Sequence, residues 1–230
     1  MPDFPFHTAL IVGAGPGISS SLARQLRAAG VTVGMAARNV EKLAPLAADI
    51  GVRTFAVDAS NPAAVQQLFA DFDKHLGEPD VVIYNASARA PGPIAEIDPE
   101  NLRRALEISA FGAFLVTQQA ARRMTPHERG AILLTGATAG VKGFPLSAAF
   151  AMGKFALRGL AQSAARELGP KGIHVAHFVI DGAVRSASRP DRSDNTLDPD
   201  GIAQTYLDVL RQPRNAWSLE VEVRPWIEKF

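Results

Sequence analysis

Cysteine is missing from all 230 residues. That removes disulfides, thiolate metal sites and cysteine nucleophiles together, and it fits a reducing cytoplasm. Runs of like charge are missing too. Lys and Arg number 24 against 23 Asp and Glu, for a net charge of +1. A phosphate-reading face needs clustered Lys and Arg, so nucleic acid is not an expected partner. No apolar run approaches the roughly 18–20 residues that a membrane helix needs. The opening residues, Met1-Pro2-Asp3-Phe4-Pro5-Phe6, lack the basic-then-apolar order of a signal peptide. No His-x-x-x-His pair and no acidic cluster points to a metal. Tyrosine is scarce: Tyr84 and Tyr206 are the only two.

What is present suits one large α/β domain over residues 1–230 with a full core. Hydrophobic residues make up 47% and charged residues 20%, ordinary values for a globular protein. Short apolar runs with β-branched residues fall at 8–12, 31–36, 53–57, 80–84, 131–135 and 174–180. Such nearly continuous runs suit strands buried on both faces, as in a parallel sheet. Helical patterns alternate with them near 18–29, 40–50, 62–76, 102–124 and 150–168. Asn61 before Pro62 reads as a helix cap, and Gly30 and Gly51 as left-handed stops. The alternation predicts a doubly wound, Rossmann-type parallel sheet between two helical layers. A final strand is expected over 217–223. Residues 186–200, rich in Ser, Asp, Arg, Asn and Pro, read as a mobile surface loop that helps form a substrate pocket.

The run Val12-Gly13-Ala14-Gly15-Pro16-Gly17-Ile18-Ser19 follows the first strand and opens the first helix. Glycines there let the backbone turn tightly and approach a pyrophosphate seated on the helix N-terminus. The plain alternative is a glycine-rich turn. Ile18 stands where a G-x-G-x-x-G fingerprint would have its third glycine.

Five segments together resemble the short-chain dehydrogenase/reductase family. The glycine loop is similar to T-G-x-x-x-G-x-G, with Val12 for the threonine and Ser19 for the last glycine. Tyr84-Asn85-Ala86-Ser87 resembles N-N-A-G, and 130–137 resembles the fifth strand with the serine segment. Phe150-Ala151-Met152-Gly153-Lys154 resembles Y-x-x-x-K. Ile180-Asp181-Gly182-Ala183-Val184-Arg185-Ser186 resembles I-x-P-G-x-V-x-T, with Asp181 for the proline. The likeness runs in order over essentially the whole chain, and matches an atypical subgroup with Phe in place of Tyr. It implies cofactor contacts at Gly13, Gly15, Gly17, Ile18, Arg38, Asp58, Asn85, Ala86, Lys154 and Val184. It also implies helices pairing across a two-fold axis, hence a homodimer or homotetramer. Trp226 and Phe230 are further aromatics suited to burial against a partner.

An acid near the end of the second strand favours NAD and repels a 2′-phosphate. Here Ala37 holds that position and Arg38 follows it. Arg38 can form a bidentate pair with a phosphate, which favours NADP, with NAD as the alternative. Otherwise Arg38 is a solvated residue at a helix start. Asp58 resembles the family residue that reads the adenine edge, or else caps a turn near Ser60-Asn61-Pro62.

The family's four catalytic positions, Asn, Ser, Tyr and Lys, fall on Ser109, Ala137, Phe150 and Lys154. Phenylalanine has no proton to exchange. In the parent mechanism the lysine holds a ribose and lowers the tyrosine pKa. Only the first role survives here, unless Lys154 is a merely solvated side chain. Substitute acids are Asp181, Tyr206, Tyr84 and His177, the last more readily a core residue. The expected function is NAD(P)-dependent oxidoreduction of a small substrate. The rivals are a non-catalytic NADP-binding or structural protein, and an enzyme using the fold for chemistry other than hydride transfer.

Overall fold

The computed structural model describes residues 4–191 and 193–228. Strands β1 (Thr8–Val12), β2 (Thr32–Ala37), β3 (Arg53–Ala56), β4 (Val81–Tyr84), β5 (Gly130–Thr135), β6 (Ile173–Ile180) and β7 (Glu220–Val223) form one sheet. Its order is β3-β2-β1-β4-β5-β6-β7, and every pairing is parallel. The order reverses between β1 and β4, the switch point at which such sheets leave a crevice beyond the strands' carboxyl ends.

The helices are α1 (Ile18–Ala28), α2 (Ala44–Ile50), α3 (Pro62–Leu76), α4 (Pro99–Leu106), α5 (Gly112–Met124), α6 (Ala148–Leu168) and α7 (Pro199–Leu210). Strand side chains alternate between faces. Leu10 and Val12 join a core with Phe69, Phe72, Val116 and Leu157, from α3, α5 and α6. Ala9 and Ile11 join a second core with Leu22, Leu26, Ile202 and Tyr206, from α1 and α7. The central strands are buried throughout, which explains their unbroken apolar runs. No helix among the described residues is long and apolar enough to cross a membrane.

Three boundaries differ from the sequence expectation by three residues or more, and others by one or two. The pattern over 40–50 divides into a 3₁₀ turn, Glu41–Leu43, and α2. Pro45 lies in the first turn of α2 and has no N–H to give the Glu41 carbonyl, so one continuous α-helix cannot form. The pattern over 102–124 starts earlier, at the Asp98 cap whose carboxylate accepts from the Glu100 N–H. A π-helical turn, Glu107–Phe111, then interrupts it. The last strand starts at Glu220 rather than 217, because Trp217 stacks on His174 at 4.7 Å and gives its indole N–H to the Gln212 carbonyl. The segment after β6 is tied at both ends: Val184 pairs with Leu197, and Leu197 is buried.

Candidate functional site

The glycine loop is held in place by contacts that each residue type dictates. Gly13 has φ +88°, and a Cβ there would lie 2.2 Å from the Ala86 nitrogen. Only glycine lets β1's exit press so closely on the end of β4. The Gly13 and Ala14 N–H groups both reach the Ala36 carbonyl at 2.9 Å. Gly17, at φ 93°, caps α1 without a side-chain bond, and the first turn of α1 carries no acid. That end therefore offers backbone N–H groups and a positive dipole to an anion. Ser19 is buried and gives its hydroxyl to the Gly13 carbonyl at 3.2 Å. The Asn85 amide donates to that hydroxyl at 2.8 Å. Asn85 thus braces the loop through Ser19.

A cavity of about 490 Å³ opens between this loop and the ends of β2 and β3. Gly13, Gly15, Arg38, Asp58, Asn85 and Ala86 all line it. Gly17 lies in an adjoining hollow with Arg185 and Ser186, and Pro16 borders both. Ile18, Lys154 and Val184 line neither: Ile18 and Val184 pack against the second core, and Lys154 is a buried residue of α6. Among the cavity residues given no role by the sequence reading are two polar ones, Asn39 and Lys42. Lys42 lies in the 3₁₀ turn shortly after Arg38, and both side chains line the cavity. Asp58 serves its turn, accepting from the Ser60 hydroxyl at 2.6 Å and the Ser60 N–H at 3.0 Å. The hydroxyl, then the N–H, with smaller help from Arg38 and Arg104, hold its carboxyl below the usual range.

Beyond β5, the chain turns through Ala137 into a 3₁₀ turn, Thr138–Gly140, and then α6. Lys154 is buried to 3% exposure and donates to the Thr135 carbonyl at 2.7 Å. Burial, then the charge of Arg89, lowers its pKa to about 7. Its Nζ is 5.8 Å from the centroid of the Phe150 ring. Arg89, on the loop after β4, lays its guanidinium 4.1 Å over the same ring. From the sequence, residues 88–93 read as a loop of the substrate pocket without Arg89 being singled out, because only the folded chain sets it on α6. Ser109 sits in the π turn and accepts from the Ala88 N–H at 3.1 Å.

The four substitute acids are occupied elsewhere. Tyr206 is fully buried, stacked on Phe178, and shares a 2.8 Å hydrogen bond with the Thr135 hydroxyl. Tyr84 is fully buried and gives its hydroxyl to the Ile108 carbonyl, which the π turn frees. Burial raises both phenol pKa values further above neutrality. His177 is a core residue at 1% exposure, bound to Glu220 at 3.0 Å. Burial holds its pKa below the usual histidine value. Asp181 accepts from the Thr138 hydroxyl at 2.5 Å and pairs with Arg224 at 2.7 Å. Among the described residues, no group of three or more metal-binding side chains is present.

A family model described as short chain dehydrogenase matches residues 7–196. A solved short-chain dehydrogenase from Rhodopseudomonas palustris is 38% identical, covers 96% of this chain and 99% of its own, and superposes with a TM-score of 0.84. A metagenomic short-chain oxidoreductase crystallised with NADP is 27% identical over 96% of this chain and 98% of its own, TM-score 0.85. An uncharacterized oxidoreductase of Staphylococcus aureus strain N315 is 27% identical over 94% of this chain and 96% of its own length.

Proposed function

Because the chain belongs to the short-chain dehydrogenase family, we propose that it is an NADP-dependent oxidoreductase acting on a small substrate, with residues 1–230 as one cofactor-binding unit. The observation that carries this reading is the cavity beside the glycine loop. It has backbone N–H groups and a capless helix start at one end, and Arg38 and Lys42 at the other, with Ala37 where an acid would repel a phosphate. This donor set fits a dinucleotide with a phosphorylated ribose. Gly13, Gly15 and Gly17 would admit its pyrophosphate, Arg38 and Lys42 its 2′-phosphate, and Asp58 its base. Asn85 and Ala86 complete the walls of the groove, while Ile18 and Val184 back it from the second core. NADP, when bound, supplies or accepts a hydride.

Lys154 has three donor hydrogens and gives one to Thr135. The others remain for a ribose or a substrate oxygen. With its pKa near 7, Nζ can also release a proton at neutral pH, the task that Phe150 cannot perform. Loss of the usual groups at Ser109, Ala137 and Phe150 favours a second reading, an NADP-binding protein without turnover. Titration with NADPH and NADH, followed by absorbance assays on carbonyl and alkene acceptors, tests both. Failure to bind either cofactor defeats the proposal, whereas binding without any turnover selects the second reading.

We also propose a homodimer or homotetramer. Phe111, Phe114, Met152 and Phe155 expose 43–49% of their surface on the face around α5 and α6. A cavity of about 580 Å³ runs between those helices. Trp226 is 80% exposed, and Phe230 lies outside the described residues. A cytoplasmic setting suits the absence of cysteine. Light scattering that gives the 24.4 kDa mass of one chain at micromolar concentration would refute assembly.

A further inference from the structure

The end of the site around Phe150 carries positive charge without a matching anion. Arg89 lies 4.1 Å over the Phe150 ring, and the Lys154 ammonium nitrogen is 5.8 Å from the same ring centroid. Among the described residues, no carboxylate pairs with either cation. Asp181, the acid that the sequence offers here, already spends one oxygen on Thr138 and the other on Arg224. Arg89 is an exposed side chain on a fixed backbone. The Ser109 hydroxyl takes the N–H of the preceding residue, Ala88, at 3.1 Å. Farther along the same loop, the Gly92 N–H bonds the Leu146 carbonyl at 3.1 Å. A guanidinium laid on an aromatic face keeps its edge, with paired N–H donors, free for a planar anion.

We propose that Arg89 is a substrate-binding residue that receives a carboxylate, so that the chain's substrates are small oxo acids and the matching hydroxy acids. This rests on the reading of the chain as an NADP-dependent oxidoreductase. Phe150 is then the platform that positions the guanidinium. The nonpolar ring leaves the guanidinium to the incoming anion, whereas a phenol beside it would itself ionise. An arginine binds a carboxylate through two parallel hydrogen bonds, and a neutral ester at the same carbon cannot form that charged pair.

The test uses the full chain saturated with NADP⁺ and compares 2-oxobutanoate and 4-oxopentanoate with their methyl esters by calorimetry. At least one acid should bind tenfold or more tightly than its ester. Arg89→Met should abolish that preference while leaving NADP⁺ affinity within about twofold, and Arg89→Lys should restore part of it. Equal binding of acid and ester by the native chain would overturn the assignment, as would a preference that survives in Arg89→Met. The acid–ester comparison needs no variant, so a folding defect cannot mask the answer. If NADP⁺ itself does not bind, the oxidoreductase reading fails, and the same comparison on the free protein still decides the role of Arg89.

Discussion

Lys154 offers the sharpest test, because its burial makes folding sense only in one protonation state. Its pKa falls from the usual 10.5 to about 7, first through burial and then through Arg89. Between those values the unfolded chain holds the proton and the folded chain does not, so stability rises with pH across the window. Each pH unit crossed is worth about 1.4 kcal/mol. Two units, from pH 7.5 to pH 9.5, therefore contribute about 2.5 kcal/mol to the native chain. Lys154→Met lacks this term. It also leaves the Thr135 carbonyl without its donor, a loss of about 1–3 kcal/mol that does not vary with pH. Slopes can therefore be separated from offsets. Other titrations are common to both proteins, and burial keeps His174 and His177 below the usual histidine value and Tyr84 and Tyr206 above the usual tyrosine value. Denaturant unfolding of both proteins at pH 7.5, 8.5 and 9.5 measures the difference. The native chain should gain about 2.5 kcal/mol on the variant over that range. Parallel curves would mean that Lys154 stays charged in the fold, and the proposed proton release at neutral pH would fall with it.

Other expectations follow from the same contacts. Arg38→Ala and Lys42→Ala should each weaken NADPH binding by about tenfold, roughly one charge-assisted hydrogen bond, and leave NADH nearly unchanged; equal NADPH and NADH affinities in the native chain would contradict the cofactor choice. Gly13→Ala forces a side chain against the Ala86 backbone at a φ of +88°, so thermal unfolding should show a loss of at least about 3 kcal/mol; a native-like melting temperature would show that the loop yields. Tyr206→Phe removes only a buried bond to Thr135 and should cost about 1 kcal/mol with unchanged turnover; lost turnover would restore Tyr206 as an acid. Phe150→Tyr combined with Ala137→Ser should raise carbonyl reduction by about tenfold or more, a small part of what acid catalysis can give. A slower double variant would show that the phenyl ring is an adapted feature.

Most of the fold was legible because its determinants are local. Unbroken apolar runs marked buried strands, and Asn61-Pro62 marked α3, where the Asn61 side chain accepts from the Ala64 N–H at 3.0 Å. The π turn was not legible. It forms where the Tyr84 hydroxyl takes the Ile108 carbonyl and Ser109 takes the Ala88 N–H, and these bonds join residues more than twenty apart. The site divides in the same way. The glycine loop is a local device, so Gly13, Gly15 and Gly17 could be read from spacing. Asp181 looked like a free acid because its partner, Arg224, lies 43 residues on and beyond β7. Arg89 looked like an ordinary loop cation until α6 brought Phe150 beneath it.

Two departures from the family pattern, Ser109 and Phe150, meet at the Arg89 loop, which bears on whether the site is rebuilt or merely lost. Ser109, at the asparagine position, fixes the backbone that leads to Arg89. Phe150, at the tyrosine position, carries Arg89 on its face. Asp181, at a proline position, has an N–H that a proline would lack, and gives it to the Val223 carbonyl at 2.9 Å. Its carboxylate meanwhile holds Thr138, next to the vacant serine position, and Arg224. Scattered loss would leave buried polar groups stranded at these places. The buried side-chain atoms without a partner among the described residues are on Gln25, Thr117, His177 and Thr196. None is on Ser109, Lys154 or Asp181, but His177 Nε2 lies against Gly136, next to the serine position at Ala137. Ser109 and Asp181 are each satisfied by their own neighbours, and Arg89 stays exposed on the Phe150 ring, where a substrate anion would complete it.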